Sequence, residues 1–150
     1  MEKLVAVKND PRWRDKIVAD PRGISQRMTG AVFDAYARWV AHFNGFKVSE
    51  IVVLDSPHAG PWGADALPGN PRHTVSSIFD YATAIASARV FLGGESGSAS
   101  LAAAVRSDKT TTFSLQSAMN FNGKLFLFPN VTYYVTGQLG ADFHAGDGPP

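Results

Sequence analysis

The sequence predicts an α/β domain: a mostly parallel β-sheet with helices on both faces. Three observations carry this. Apolar runs of strand length alternate with segments whose apolar residues recur every three or four positions. The strand-like runs, such as Ile51-Val52-Val53-Leu54, are apolar at consecutive positions, as strands covered on both faces are. A glycine-rich turn, Gly93 to Ser98, joins one such run to an Ala-rich helical stretch.

Taken in order, Leu4-Val5-Ala6-Val7 is short, aliphatic and bounded by charge, and reads as an opening strand. Asn9 to Gly23 carries Pro11 and Pro21 with Arg12, Arg14, Lys16 and Arg22, and reads as a basic loop. Ser25 is placed to cap a helix in which Met28, Val32, Tyr36, Val40 and Phe43 share one face, and Asn44-Gly45 ends it. Ile51 to Leu54 is the second strand. A Pro/Gly-rich loop, Pro57 to Pro71, follows, of a length often found in lids and other functional loops. Thr74 or Ser76 caps the next helix, with Ile78, Tyr81, Ala82 and Ile85 at helical spacing. Val90 to Leu92 is the third strand, Ser98 to Val105 a helix, and Thr111 to Leu115 a β-prone strand. Lys124 to Phe128 and Val131 to Val135 read as two more strands. The domain is expected over 1–136, with 137–150 a loose tail.

Composition narrows the function. A chain of 150 residues, 45% hydrophobic and 18% charged, has the make-up of an ordinary globular domain with a real core. A formal net charge of +1 gives no electrostatic case for binding nucleic acid or an anionic membrane. The absence of Cys excludes disulfides, thiolate metal sites and a cysteine nucleophile, and suits a cytoplasmic setting. No apolar run reaches the length of a secretory or membrane-spanning segment. His42, His58, His73 and His144 are too scattered to argue a metal site, and no cofactor is indicated.

The turn is the most informative stretch. Gly93, Gly94 and Gly97 let backbone approach a ligand with no Cβ in the way, and Ser96 and Ser98 bring hydroxyls. The helix that follows offers free N–H groups and the positive end of its dipole, both attractive to phosphate. In an open parallel sheet this position lies beyond the strand ends, where ligands bind. The plainer reading is a tight connection with capping serines. The glycine spacing does not fit the dinucleotide G-x-G-x-x-G pattern, and the Lys-Ser/Thr of a P-loop is missing.

The wider context resembles a known signature. Ile85-Ala86-Ser87-Ala88-Arg89, a strand, then Glu95-Ser96-Gly97-Ser98-Ala99-Ser100-Leu101-Ala102-Ala103-Ala104 is similar to the C-terminal, donor-binding domain of GT-B glycosyltransferases, most closely the heptosyltransferase-like family. Pro11-Arg12-Trp13 is similar to that family's basic-Trp turn. The resemblance implies a Rossmann-like fold and the diphosphate of a nucleotide-sugar near Glu95, Ser96, Gly97 and Ser98, with Gly93 and Gly94 beside it. Glu95 stands where the family has Asp, Ser100 where it has His, and Arg106-Ser107-Asp108 replaces its Gly-x-Pro. The acceptor-binding half, which supplies the family's base, has no counterpart here.

Two functions are therefore expected to compete. One is a nucleotide-sugar or nucleoside diphosphate binding domain, incomplete as a catalyst alone. The other is a non-catalytic module that forms a homo-oligomer or packs on a partner subunit. A third idea makes Glu95 a nucleophile at an anomeric carbon. Asp55, Ser56 and His58 at a strand end offer a further phosphate contact through His58, or a solvated loop start. Trp13 and Trp62 are either stacking platforms or side chains that fold back on the domain or bury in a partner. The basic loop Arg12, Arg14, Lys16 and Arg22 is either a grip for a phosphate or an acidic partner or, with Asp10, Asp15 and Asp20 interleaved, locally neutralised, which is the more economical account.

Overall fold

Ile17-Val18-Ala19 is an apolar triplet wedged between Lys16 and Asp20, and it becomes the middle of the sheet. The structure, a computed structural model, describes residues 9–22, 29–56, 63–94, 97–116 and 127–135. Its six strands are β1 (Ile17–Asp20), β2 (Ile51–Asp55), β3 (Arg72–Thr74), β4 (Val90–Gly93), β5 (Thr112–Gln116) and β6 (Thr132–Val135). They pair in the order β3-β2-β1-β4-β5-β6, and every pairing is parallel. The described helices are α1 (Gly30–Asn44), α2 (Ile78–Ser87) and α3 (Gly97–Val105), with a 3₁₀ turn at Val48–Glu50. The expected α/β, Rossmann-like architecture is thus present.

Parallel strands need crossovers, and right-handed crossovers dictate which face each helix covers. The chain steps one way from β1 to β2 and the other way from β3 to β4 and on to β5. Accordingly α1 lies on one face, where Phe33, Tyr36 and Val40 pack on Ile17, Ile51, Leu92 and Leu115. On the other face, Ala84 and Ile85 of α2 and Ala102 and Val105 of α3 pack with Val18, Leu54 and Phe91. All four residues of β1, all four of β4 and the five of β5 are buried, which explains why β1 is apolar up to Asp20 and β4 up to its closing glycine.

Four expectations are corrected. The segment Asn9 to Gly23 is not all loop, because it contains β1; a strand closed in on both faces needs few residues, and flanking charge hid this one. Helix α1 is capped by Thr29, whose hydroxyl accepts from Val32 N, so Met28 precedes it. Helix α2 is capped by Ser77, since Thr74 ends β3, an edge strand too exposed to show an apolar pattern. Leu127 and Phe128 are not in a strand. The expected strand at Leu4 to Val7, the cap at Ser25, and Trp62 lie outside the described residues, as does the tail. Gly45 closes α1 in the left-handed region at φ 71, as expected of that position.

Trp13 folds back on the domain. It is buried, its ring meeting the edge of His73 at 4.8 Å between centroids, while His73 Nε2 pairs with Asp80 at 2.9 Å. The described part of the long loop, 63–71, is tied down. Arg72 donates to the carbonyls of Ala64, Ala66 and Leu67, Leu67 N donates to Asp34, and Asn70 bridges to Val48 and Ile51. Gly63 sits at φ 82 against Pro21, where a side chain would strike the Pro21 carbonyl. Among the described residues no helix is long and apolar enough to cross a membrane.

One buried charge locks the α2, β4 and α3 layers. Arg106 follows α3 and donates to the carbonyls of Ile85, Ala88, Arg89 and Thr111 and to the hydroxyls of Thr111 and Thr112. The Ile85 and Ala88 carbonyls belong to the end of α2, where a cation is favoured. Burial pulls its pKa down to about 10, so it stays charged at neutral pH. Arg106→Met keeps most of the stem but strips several buried acceptors of their donor. It is expected to cost on the order of 3 kcal/mol, read as a lower urea midpoint; an unchanged midpoint contradicts the assignment.

Candidate functional site

The direction of winding reverses between β1 and β4, and at such a switch point the carboxyl ends of two strands leave a crevice between departing connections. Here those ends are Asp20 and Gly93, which face each other in register. Asp55 closes the neighbouring β2. Three helix N-termini belong to this edge, and those of α1 and α2 are capped from within the chain, by the Thr29 hydroxyl accepting from Val32 N and the Ser77 hydroxyl accepting from Asp80 N. That of α3, which leaves β4 by the glycine-rich turn, remains the candidate.

Asp20 is 6% exposed, an unusual place for a carboxylate. Its Oδ2 accepts from the Tyr81 hydroxyl, and its Oδ1 accepts from Arg22 N at 3.3 Å. Tyr81 comes from the first turns of α2, so β1 and α2 meet through this polar pair. Burial pushes the Asp20 pKa up to about 6, against the bonds from Tyr81 and Arg22. Burial, the Asp20 charge and the bond to Asp20 push the Tyr81 phenol up in turn.

Ser98 is buried at 2% exposure, and Gly93 makes room for it: a Cβ on Gly93 would lie 3.0 Å from Ser98 Oγ and 3.1 Å from the Phe91 ring. A side chain at position 93 would therefore crowd the packing of turn on helix. At the rim, Arg22 pairs with Asp55 at 2.8 Å, which ties the segment after β1 to the end of β2.

The structure brings some expected site residues together. Gly93 ends β4, Gly94 follows it buried, Gly97 opens α3 and Ser98 sits in its first turn. Glu95, Ser96 and His58 lie outside the described residues. Asp20 and Tyr81 are not among the site residues that the sequence singles out. Among the described residues Asp10 pairs with Arg12 on the surface at 3.1 Å, whereas Asp20 is buried and meets the basic loop through Arg22, whose N–H it accepts and whose charge acts on it. Its signal was available in the sequence, since Asp20 closes an apolar triplet just as Asp55 closes Ile51 to Leu54. Tyr81 gave none, because helical spacing made it look like plain core. Among the described residues no three His, Cys, Asp or Glu side chains are grouped to hold a metal ion.

The raised Asp20 pKa has a defined stability sign. The folded value of about 6 lies above the ordinary 3.8, so the fold favours the protonated form. That contribution is complete below pH 3.8 and is lost as pH rises through about 6, leaving a cost on the order of 3 kcal/mol at neutral pH. Asp20→Asn keeps an acceptor for Tyr81 and removes the charge. It is expected to raise the urea midpoint at pH 8 and to have little effect at pH 4. Equal effects at both pH values would refute the buried charge as the cause.

Outside the molecule itself there is no guide to this site: no family model, no curated protein and no solved structure matches the chain.

Proposed function

We propose that the chain is a nucleotide-sugar, or nucleoside diphosphate, binding domain of the glycosyltransferase type, with the diphosphate held at the turn between β4 and α3. One observation carries the reading: α3 starts directly beyond the carboxyl end of β4, at the switch point of a parallel sheet ordered β3-β2-β1-β4-β5-β6. The resemblance of the Ile85 to Ala104 stretch to donor-binding domains supports it independently.

In this reading the backbone N–H groups of Gly97 to Ala99 are the main donors to phosphate, assisted by Ser96. Glu95 repels a diphosphate and so turns to a ribose or sugar hydroxyl. Phosphate binding alone leaves an acceptor and its base unpositioned, so these 150 residues by themselves transfer no sugar at a useful rate.

A second reading, a module that associates with itself or with a partner subunit, is favoured by Ile78 and Phe79. They begin α2 at the same edge of the sheet and are 64% and 46% exposed.

Differential scanning fluorimetry with UDP-, GDP- and ADP-sugars separates the two readings. A ligand at 100 times its Kd adds about 2.7 kcal/mol of stability, and Gly97→Val, which puts a branched side chain at the first helical position, is expected to abolish the shift. No shift with any of them at millimolar concentration, together with a stable dimer in light scattering, would leave the association reading in place.

A further inference from the structure

The fold divides the basic loop Arg12, Arg14, Lys16 and Arg22. Arg12 pairs with Asp10, and Arg22 is carried past β1 to Asp55 at the carboxyl edge of the sheet. Arg14 and Lys16 stay at the amino edge, where β1 begins. Parallel strands all start at one edge, so the topology adds cations there from far along the chain. Lys16 and Arg89 directly precede Ile17 and Val90, which are register partners, and Arg89 N donates to the Lys16 carbonyl at 2.9 Å. Lys109 stands in the turn before β5, and its carbonyl accepts from the Thr132 hydroxyl at the start of β6. Neighbouring strands lie about 4.8 Å apart, so the starts of β1, β4 and β5 fall within about 10 Å. Arg14, Lys16, Arg89 and Lys109 are all exposed, and none forms an ion pair with a described residue. A net charge of +1 conceals this row, because the carboxylates of Asp20 and Asp55 are sorted to the opposite edge.

We propose that this amino edge is a docking surface for an acidic protein partner, whose exposed carboxylates pair with Arg14, Lys16, Arg89 and Lys109. The cations stand on backbone that is already fixed. Buried Trp13 anchors the turn before Lys16, and Arg106 holds the carbonyls of Arg89 and Thr111. Docking therefore orders mainly side chains. Like charges on adjacent strands repel, and carboxylates laid between them remove that cost. Two carboxylates interleave with the row: Asp15 precedes Lys16, and Asp108 precedes Lys109 while accepting from the N–H and hydroxyl of Thr110. They repel the unbroken charge of a nucleic-acid backbone or an anionic membrane, whereas a protein places its carboxylates singly. The surface lies at the other edge of the sheet from the turn between β4 and α3 and from Ile78 and Phe79. It is independent of the ligand reading, and a docked partner leaves the carboxyl edge open.

The test is fluorescence anisotropy of a labelled peptide of twelve glutamates with the whole chain, beside a twelve-base single-stranded DNA and vesicles of phosphatidylserine and phosphatidylcholine. The peptide is expected to bind at about 50 mM salt and to bind about tenfold more weakly at about 200 mM. Lys16→Glu combined with Arg89→Glu is expected to lose about tenfold in affinity, with an unchanged far-UV circular dichroism spectrum. Should that variant fail to fold, Lys16→Gln with Arg89→Gln removes the charges without reversing them and is expected to lose severalfold. Arg38→Gln, which takes one cation from the middle of α1, is expected to bind as the native chain does. Addition of millimolar UDP-glucose is expected to leave peptide affinity unchanged. Absence of peptide binding at the lower salt overturns the proposal, as does a loss in Arg38→Gln equal to that at the amino edge. Competition by UDP-glucose overturns the placement of the dock. Tighter binding of the DNA or the vesicles than of the peptide overturns the acidic protein as occupant. Failure of nucleotide-sugars to bind, with the peptide still bound, removes the ligand reading alone.

Discussion

Everything in this fold is arranged around a four-residue strand that water does not reach. β1 hydrogen-bonds on both sides, to β2 and β4, and all four of its residues are buried, so both sheet faces above it must be covered. Because all pairings are parallel, each successive strand needs a crossover, and those crossovers are the covering layers. The same constraint builds the site. Strands that all run one way bring Asp20, Asp55 and Gly93 to a single edge, and the reversal at β1 parts the connections there. Core and crevice have one cause.

Against that background the two buried charges carry opposite meanings. Arg106 offers five N–H donors and finds carbonyl or hydroxyl acceptors around all sides of its guanidinium, including the end of α2. It is a structural fastener, satisfied by the groups whose own burial it makes tolerable. Asp20 has room for about four hydrogen bonds and receives two, one of them from an amide at 3.3 Å. Its ionised form is held against the stability of the fold. A neutral side chain at the end of β1 serves the sheet better, so the carboxyl is a cost that structure alone does not explain.

Legibility in the sequence followed burial pattern. β2 and β4 were readable because a strand covered on both faces writes a continuous apolar run, β5 because its threonines and Phe113 are β-prone, and α1 and α2 because a half-buried helix writes a periodic pattern. β1 obeys the same rule but is too short for it to rise above Lys16, Asp20 and the arginines nearby. β3 breaks the rule, since an exposed edge strand has no buried face to record. The glycine-rich turn was visible because special backbone needs special residues. Asp20 and Tyr81 were not paired in any reading because they are 61 positions apart, and only the winding of the sheet brings α2 back over β1.

That separation also says why the contact is held so firmly. A contact between distant segments is as rigid as the elements that carry it, and here those elements are a central strand and a capped helix. Asp20 is fixed by its register with β4, and Tyr81 by burial of the α2 face that includes Ala84 and Ile85. Beside them Gly93 leaves room for the buried Ser98 side chain at the start of α3. The close packing of strand, helix and turn is what keeps a carboxyl buried at this edge of the sheet.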